Sequence, residues 1–289
     1  MDERLFARLA GRLQQEAVVL ASVVGAQGAT PRRRGSRMLV TAASSLGSVG
    51  GGLAEARVLE AARCLLGSTA THGEVGIDLR GGADSVGVCG GSMRVGLRRW
   101  APATDLARAR EIRDALAGGH RMRLAGSDLG VADADDIVVP DTRLLIVGAG
   151  HCGAALCELA APLEFDIHVF DARAECLAQP AFAGARTHCG DVAMLGPLLE
   201  TGRDVQAVLL NRDFHADVAA LEVLCENPPR FLGMLGSRRR IGEVRDALPE
   251  RQQALRGLVA PVGLDIDAET PHEIAVSILA QLIAERRGY

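Results

Sequence analysis

Leu144-Leu145-Ile146-Val147-Gly148-Ala149-Gly150-His151-Cys152-Gly153 decides how the second half of this chain folds. Four apolar residues in a row read as a strand buried on both faces. They run directly into Gly-x-Gly-x-x-Gly. Gly148 permits a tight turn, Gly150 lets a pyrophosphate approach the backbone, and Gly153 lets helix and strand pack closely. The spacing alone is weak. Its context is stronger: it follows a strand, opens a helix over residues 152–163, and precedes a second strand, 165–170, ending at Asp171, 23 residues after Gly148. The helix N-terminus offers unpaired N–H groups and a positive dipole end to phosphates. Asp171 is placed to accept hydrogen bonds from a ribose, and Arg173 to meet a 2′-phosphate instead. The competing reading is that the glycines serve packing only.

The alternation continues to the C-terminus. Short apolar strands are expected at 207–210 and 231–235, with helices at 192–200 and 215–226. The last helix opens with Thr270-Pro271-His272-Glu273, a capping box with proline at the first helical position. Its apolar stripe is Ile274, Ala275, Ile278, Leu279, Leu282 and Ile283. Strand and helix in alternation imply a parallel sheet with helices on both faces. Residues 142–289 therefore read as an α/β domain of Rossmann type.

The first half has another rhythm. A helix over 2–16 places Leu5, Leu9 and Leu13 on one face. Strands are expected at 17–24, 38–41, 74–79 and 93–100, and helices from the glycine-rich turn 47–52 to 66 and over 104–116. This makes residues 1–125 an α+β domain. Residues 126–141 are acidic and lack helical period, so they read as a linker.

Composition excludes several classes. The 289 residues carry a formal net charge of −4 with acids and bases intermixed, which argues against non-specific nucleic-acid binding. Every basic side chain is arginine, so Schiff-base chemistry and a Tyr-Lys catalytic set are excluded. The seven cysteines form no CxxC pair, against a zinc knuckle or iron–sulfur cluster. No secretory signal opens the chain and no apolar run is long enough to span a membrane, so a cytoplasmic protein with reduced thiols is expected.

Six stretches, in order, carry a resemblance. They are Gly28-Ala29-Thr30-Pro31-Arg32, Gly47-Ser48-Val49-Gly50-Gly51-Gly52, Cys89-Gly90-Gly91, Gly148-Ala149-Gly150-His151, Gly233-Met234-Leu235-Gly236-Ser237-Arg238 and Thr270-Pro271-His272-Glu273-Ile274-Ala275. The set resembles the XdhC/CoxI family over almost the whole chain. The resemblance implies a chaperone without turnover of its own. It would bind the molybdenum cofactor, as molybdopterin or its dinucleotide form, and protect it during sulfuration. It would then pass the cofactor to the apoenzyme of a molybdenum hydroxylase such as xanthine dehydrogenase. A cysteine desulfurase becomes a candidate second partner. Two departures stand out. Many relatives carry two adjacent cysteines before the glycine pair, whereas Val88 precedes Cys89 here. Relatives often show Thr-His-Asp-His after the fourth Rossmann strand, where this chain has Asn211-Arg212-Asp213-Phe214-His215.

Each candidate has a bland alternative. Arg32, Arg33, Arg34 and Arg37 suit bidentate phosphate binding, or form a solvated basic loop. The glycines at 47–52, followed by Glu55, form a phosphate-binding nest or merely a turn. Cys89 between glycines offers a soft ligand to molybdenum or a sulfur carrier, with Gly90 and Gly91 beside it, or is a small packing residue. Ser237 and Arg238 sit where ligands of open α/β sheets gather, or Ser237 only caps a helix. His151 reads as a ligand contact. Cys152 reads as packing, although a helix start can lower a thiol pKa. Asp213, His215 and Asp217 have metal-like spacing, with helix capping the stronger reading. The rival function is an NAD(P)-dependent oxidoreductase; a plain scaffolding role is third. Apolar stripes on the terminal helices suggest a homodimer.

Overall fold

Residues 18–24 are buried without a break because the strand they form is covered on both faces. The computed structural model describes residues 2–81, 85–87 and 89–287. It divides into two units, with the boundary between Pro140 and Asp141.

In the first unit the elements run α1 (Asp2–Arg12), β1 (Val18–Gln27), β2 (Arg37–Val40), β3 (Ser45–Gly47), α2 (Gly52–Leu66), β4 (His72–Asp78), β5 (Ser92–Trp100), α3 (Pro102–Ala117), β6 (Met122–Leu124), α4 (Gly126–Leu129) and β7 (Asp136–Val138). The main sheet has the order β3-β2-β1-β5-β4 and its pairs are antiparallel. Val19, Ala21 and Val23 of β1 pack with Val58 and Ala62 of α2. Val18, Leu20 and Val24 face the other way, into a core with Leu5, Phe6 and Leu9 of α1 and Ile112 and Leu116 of α3. The apolar stripe of α1 is thus spent inside its own unit.

Residues 126–141 are not a linker. They contain α4 and β7, β7 pairs with β6, and Leu129, Val131, Ala134 and Val138 are buried in the α1/α3 core. The acidity that reads as a solvated connector is a set of ion-pair partners. Asp128 meets Arg108 at 3.0 Å, Asp133 meets Arg94 at 2.6 Å, and Asp135 meets Arg123 at 2.8 Å. Hydrophobic period is lost because the stretch alternates short elements too brief to repeat.

The second unit runs β8 (Thr142–Val147), α5 (His151–Ala160), β9 (Phe165–Phe170), α6 (Ala174–Leu177), β10 (Arg186–His188), α7 (Leu195–Leu199), β11 (Val205–Leu209), α8 (Phe214–Leu224), β12 (Phe231–Met234), α9 (Arg238–Asp246), β13 (Leu258–Val259) and α10 (Pro271–Arg287). The sheet order is β10-β9-β8-β11-β12-β13, and every pair is parallel. The order reverses between β8 and β11, and that switch point is where open α/β sheets bind ligands. Leu145, Val147 and Leu209 face a core with α8 and α9. Leu144, Ile146 and Val208 face α5 and α10. The capping box forms as read: Thr270 N–H donates to Glu273 Oε2 at 2.9 Å, and Glu273 N–H to Thr270 Oγ1 at 3.3 Å. The α10 stripe, Ala275, Ile278, Leu279 and Leu282, is also buried within its unit. Neither terminal stripe is therefore available as a dimer surface.

Candidate functional site

Strands β8, β9, β11 and β12 end at one edge of the parallel sheet, and a cleft of about 1080 Å³ opens there. Its floor is the glycine turn. Gly148 has φ +115°, and a Cβ there would lie 2.8 Å from Asn211 Oδ1, so the turn tolerates no side chain. A Cβ at Gly153 would land on the Gly148 carbonyl, which is how α5 packs so close to β8. At Gly150 a Cβ would meet nothing within 4 Å. The three glycines thus divide between turn, packing and approach.

Helices α5, α8 and α9 start at this edge. Asp213 caps α8 by accepting from Ala216 N–H at 2.8 Å, and Ser237 caps α9 by accepting from Arg240 N–H at 3.3 Å. Helix α5 begins at Gly150 with no side-chain cap. Its first-turn N–H groups have no carbonyl upstream within the helix, so they and the dipole face the cleft. His151 is exposed on the cleft wall at the first helical position. Cys152, half-buried, has its thiol pKa pushed up by burial against a smaller lowering pull from Arg212, which removes the lowering expected at a helix start.

Asp171 is 6 % exposed and fully engaged. Its Oδ2 accepts from Ala149 N–H at 2.8 Å and Arg173 Nη2 at 2.8 Å. Its Oδ1 accepts from Arg173 N–H at 3.0 Å and Arg173 Nε at 2.9 Å. Burial raises the carboxyl pKa, but these bonds outweigh it and hold the group below its usual range. The residue expected to read a ribose instead clamps the glycine loop and Arg173.

On the opposite wall, Asp217 is wholly buried, paired with Arg240 and hydrogen-bonded by Asn211 Nδ2 at 3.1 Å. This overturns the metal reading of Asp213, His215 and Asp217. One acid caps a helix and the other is buried against an arginine. Among the described residues, no three His, Cys, Asp or Glu side chains gather to hold a metal ion. Ser237 and Arg238 are exposed and do not line the cleft, whereas Gly236 and Arg240 of the same run do. The sequence reading names Arg238, whereas the helix turns its third residue, Arg240, toward the sheet edge. It also misses Gln179, whose Nε2 donates to Ala149 O at 2.9 Å, and Cys176 beside it on the cleft wall. No motif marks either one.

In the first unit, three of the quoted stretches meet. Gly91 lies against the carbonyls of Gln27 and Ala29, leaving no room for a Cβ, and a Cβ on Gly28 would sit 3.0 Å from Gly90 O. A Cβ on Gly50 would sit 3.4 Å from Pro31. Cys89 is exposed at this junction, while Val88 lies outside the described residues. The nest at 48–51 is filled from within. Glu55 Oε2 accepts from Val49 N–H and Gly51 N–H, both at 3.2 Å, and from Ser48 Oγ at 2.6 Å. The arginine loop separates into two roles. Arg32 is exposed, but Arg37 is 2 % exposed and pairs with Asp136 and, at 2.7 Å, with Asp2. Arg37 is structural, not a phosphate ligand. Replacing it with alanine should cost on the order of 3 kcal/mol, because two half-buried carboxylates lose their counter-charge. The exposed Arg32→Ala should leave stability within about 0.5 kcal/mol. Urea titration of both variants checks this, and a wild-type midpoint for Arg37→Ala would remove the structural role.

Models of two domains match the chain: the XdhC and CoxI family over residues 12–75 and the XdhC Rossmann domain over residues 144–282. The chain belongs to the XdhC and CoxI family. Among curated relatives, the uncharacterized protein YqeB of Escherichia coli is 30 % identical over 91 % of this chain and 42 % of its own length. The molybdenum cofactor insertion chaperone PaoD of E. coli is 29 % identical over 51 % of this chain and 41 % of its own. A Bacillus subtilis protein, named as a probable subunit of xanthine dehydrogenase, is 29 % identical over 52 % and 44 %. The chain thus spans about two-fifths of the length of these relatives. A crystal structure described as a xanthine dehydrogenase from Bacillus halodurans superposes with a TM-score of 0.81. It is 24 % identical and covers 99 % of this chain and 96 % of that one, a likeness of fold. In this XdhC-family chain the motifs fall into two groups, one around Cys89 and one around the glycine loop of α5.

Proposed function

We propose that this chain is a maturation chaperone that binds the molybdenum cofactor and delivers it to a molybdenum hydroxylase of the xanthine dehydrogenase type. The observation that carries the reading is the uncapped start of α5 beneath a cleft of about 1080 Å³, with Gly150 open toward it, in a chain of this family. The N–H groups at the start of α5 would hold the cofactor's phosphate, with His151 and Arg240 on the walls. In the first unit, taken by itself, Cys89, with Gly90 and Gly91 fixing its backbone, would offer a soft donor to molybdenum or sulfur during transfer. The metal travels inside the cofactor, so no resident metal cluster is required. A hydroxylase apoenzyme is the receiving partner, a cysteine desulfurase the candidate sulfur source, and the cytoplasm the expected compartment. Among the described residues, no helix is long and apolar enough to cross a membrane.

The strand order and glycine loop also favour a second reading, an NAD(P)-dependent oxidoreductase. Against its NAD form stands the occupied Asp171, while Arg173 on the cleft wall leaves a 2′-phosphate a partner; against a Tyr-Lys catalytic pair stands the lack of any lysine. Purified protein given NAD(H) or NADP(H) and purines should show no steady-state redox change. Sustained consumption that disappears in a folded Gly150→Val variant would transfer the assignment to the oxidoreductase. The chaperone reading is tested by the mass of the small molecule that copurifies with the chain. A preparation from molybdenum-replete cells that carries no pterin, and that fails to raise the activity of an apo-hydroxylase, would end it.

A further inference from the structure

The cleft has a carboxylate where a ribose would be read, and that carboxylate has no capacity left. A carboxylate offers about four lone-pair sites. Asp171 uses four: Arg173 Nε and the Arg173 N–H on Oδ1, and Ala149 N–H and Arg173 Nη2 on Oδ2. Two of the four come from one guanidinium, gripping the two oxygens in the fork geometry that suits a carboxylate. Asp171 is 5 % exposed at its side chain, whereas Arg173 is 59 % exposed and lies over it on the cleft side. A ribose diol needs one acceptor for each hydroxyl and finds none left on Asp171.

We propose that Arg173 is a specificity-determining residue that closes the ribose-reading carboxylate, so that the cleft selects phosphorylated ligands presenting no ribose diol at the end of β9. This rests on reading the cleft as a cofactor site, and within that reading it singles out the form of the cofactor that ends in a phosphate monoester. The dinucleotide form would bring a ribose to a carboxylate already filled. Removing the guanidinium frees one site on each oxygen and leaves the two backbone donors in place. That is the arrangement a vicinal diol accepts. Asp171 then retains a second function, holding Ala149 and with it the glycine turn.

The experiment compares ADP with 2′-deoxy-ADP, which share the diphosphate and differ in one hydroxyl. Affinities of each are measured by calorimetry for the full chain and for Arg173→Ala at one salt concentration. Because Arg173 is largely exposed, the variant should fold, and its melting curve is recorded beside the titration. The preference for ADP over 2′-deoxy-ADP is expected to rise at least fivefold in the variant. Adding Asp171→Asn to Arg173→Ala should return the preference to the wild-type value, because the freed acceptors are then reduced to one. A rise smaller than fivefold overturns the proposal, and so does failure of both proteins to bind either nucleotide. Failure of the chaperone reading looks different. A chain that carries no pterin and matures no hydroxylase, yet shows the fivefold rise, loses that function and keeps this specificity.

Discussion

Gly150→Val is expected to abolish ligand binding in the cleft and to leave the fold intact. At this position φ is −78° and ψ is −171°, an extended backbone that a β-branched residue adopts without strain. A Cβ there meets nothing within 4 Å, so the fold has room for it. The added methyl groups would stand in front of the first-turn N–H groups of α5, where a phosphate must come within hydrogen-bonding distance. Charge-assisted bonds contribute about 1.5–3 kcal/mol each, so losing two or three should cost a hundredfold or more in affinity. The neighbouring Gly153→Val should behave oppositely. Its Cβ lands on the Gly148 carbonyl, and overpacking of that kind destabilises by about 1–3 kcal/mol or more before any ligand is considered. Calorimetry and the mass of the copurifying molecule report binding, and circular dichroism reports the fold. If Gly150→Val stays folded and binds as the wild type does, the phosphate role of this loop is wrong.

The contrast between these two glycines explains what a reader of the sequence can and cannot see. Steric demands on a backbone leave marks, because only glycine meets them; the spacing of 148, 150 and 153 carries the turn, the approach and the packing. The parallel sheet is legible for the same kind of reason, since strands buried on both faces must be apolar without alternation. Side-chain partnerships leave no such mark. Arg32 and Arg37 belong to one basic loop in sequence, yet Arg37 is buried because Asp2, 35 residues before it, and Asp136, 99 residues after it, close on it. Asp171 and Arg173 are two residues apart, and either could have faced the ligand. Which one does depends on a rotamer and on Ala149, neither of which the local sequence states. The 126–141 stretch misleads because acids that pair with distant arginines have the same composition as acids that face water.

Cys89→Ser is expected to keep the wild-type melting temperature and to lose most of the cofactor that copurifies with the chain. The thiol is exposed, so exchanging sulfur for oxygen removes little packing and should change stability by no more than about 0.5 kcal/mol. Its backbone is nevertheless well fixed. Gly90 N–H donates to Leu79 O at 2.7 Å, Leu79 N–H donates to Gly91 O at 2.9 Å, and Gly91 sits flush on the 27–29 segment. A side chain held out from a pinned glycine turn is well placed to meet a ligand without loop rearrangement. Serine matches cysteine closely in size but is a hard donor, so the substitution separates soft-metal or sulfur chemistry from volume. Because Val88 and Gly90 flank Cys89, no adjacent thiol can compensate. The control is Cys157→Ser on α5. That thiol is buried and its pKa is pushed up to about 11, chiefly by desolvation, so it is an inert packing group. Its variant should lose some stability and retain cofactor, the reverse of Cys89→Ser. Client activation then provides the second readout: an apo-hydroxylase supplied with the Cys89→Ser protein should mature poorly. Equal cofactor retention and equal client activation by wild type and Cys89→Ser would leave Cys89 as a surface thiol with no part in the transfer.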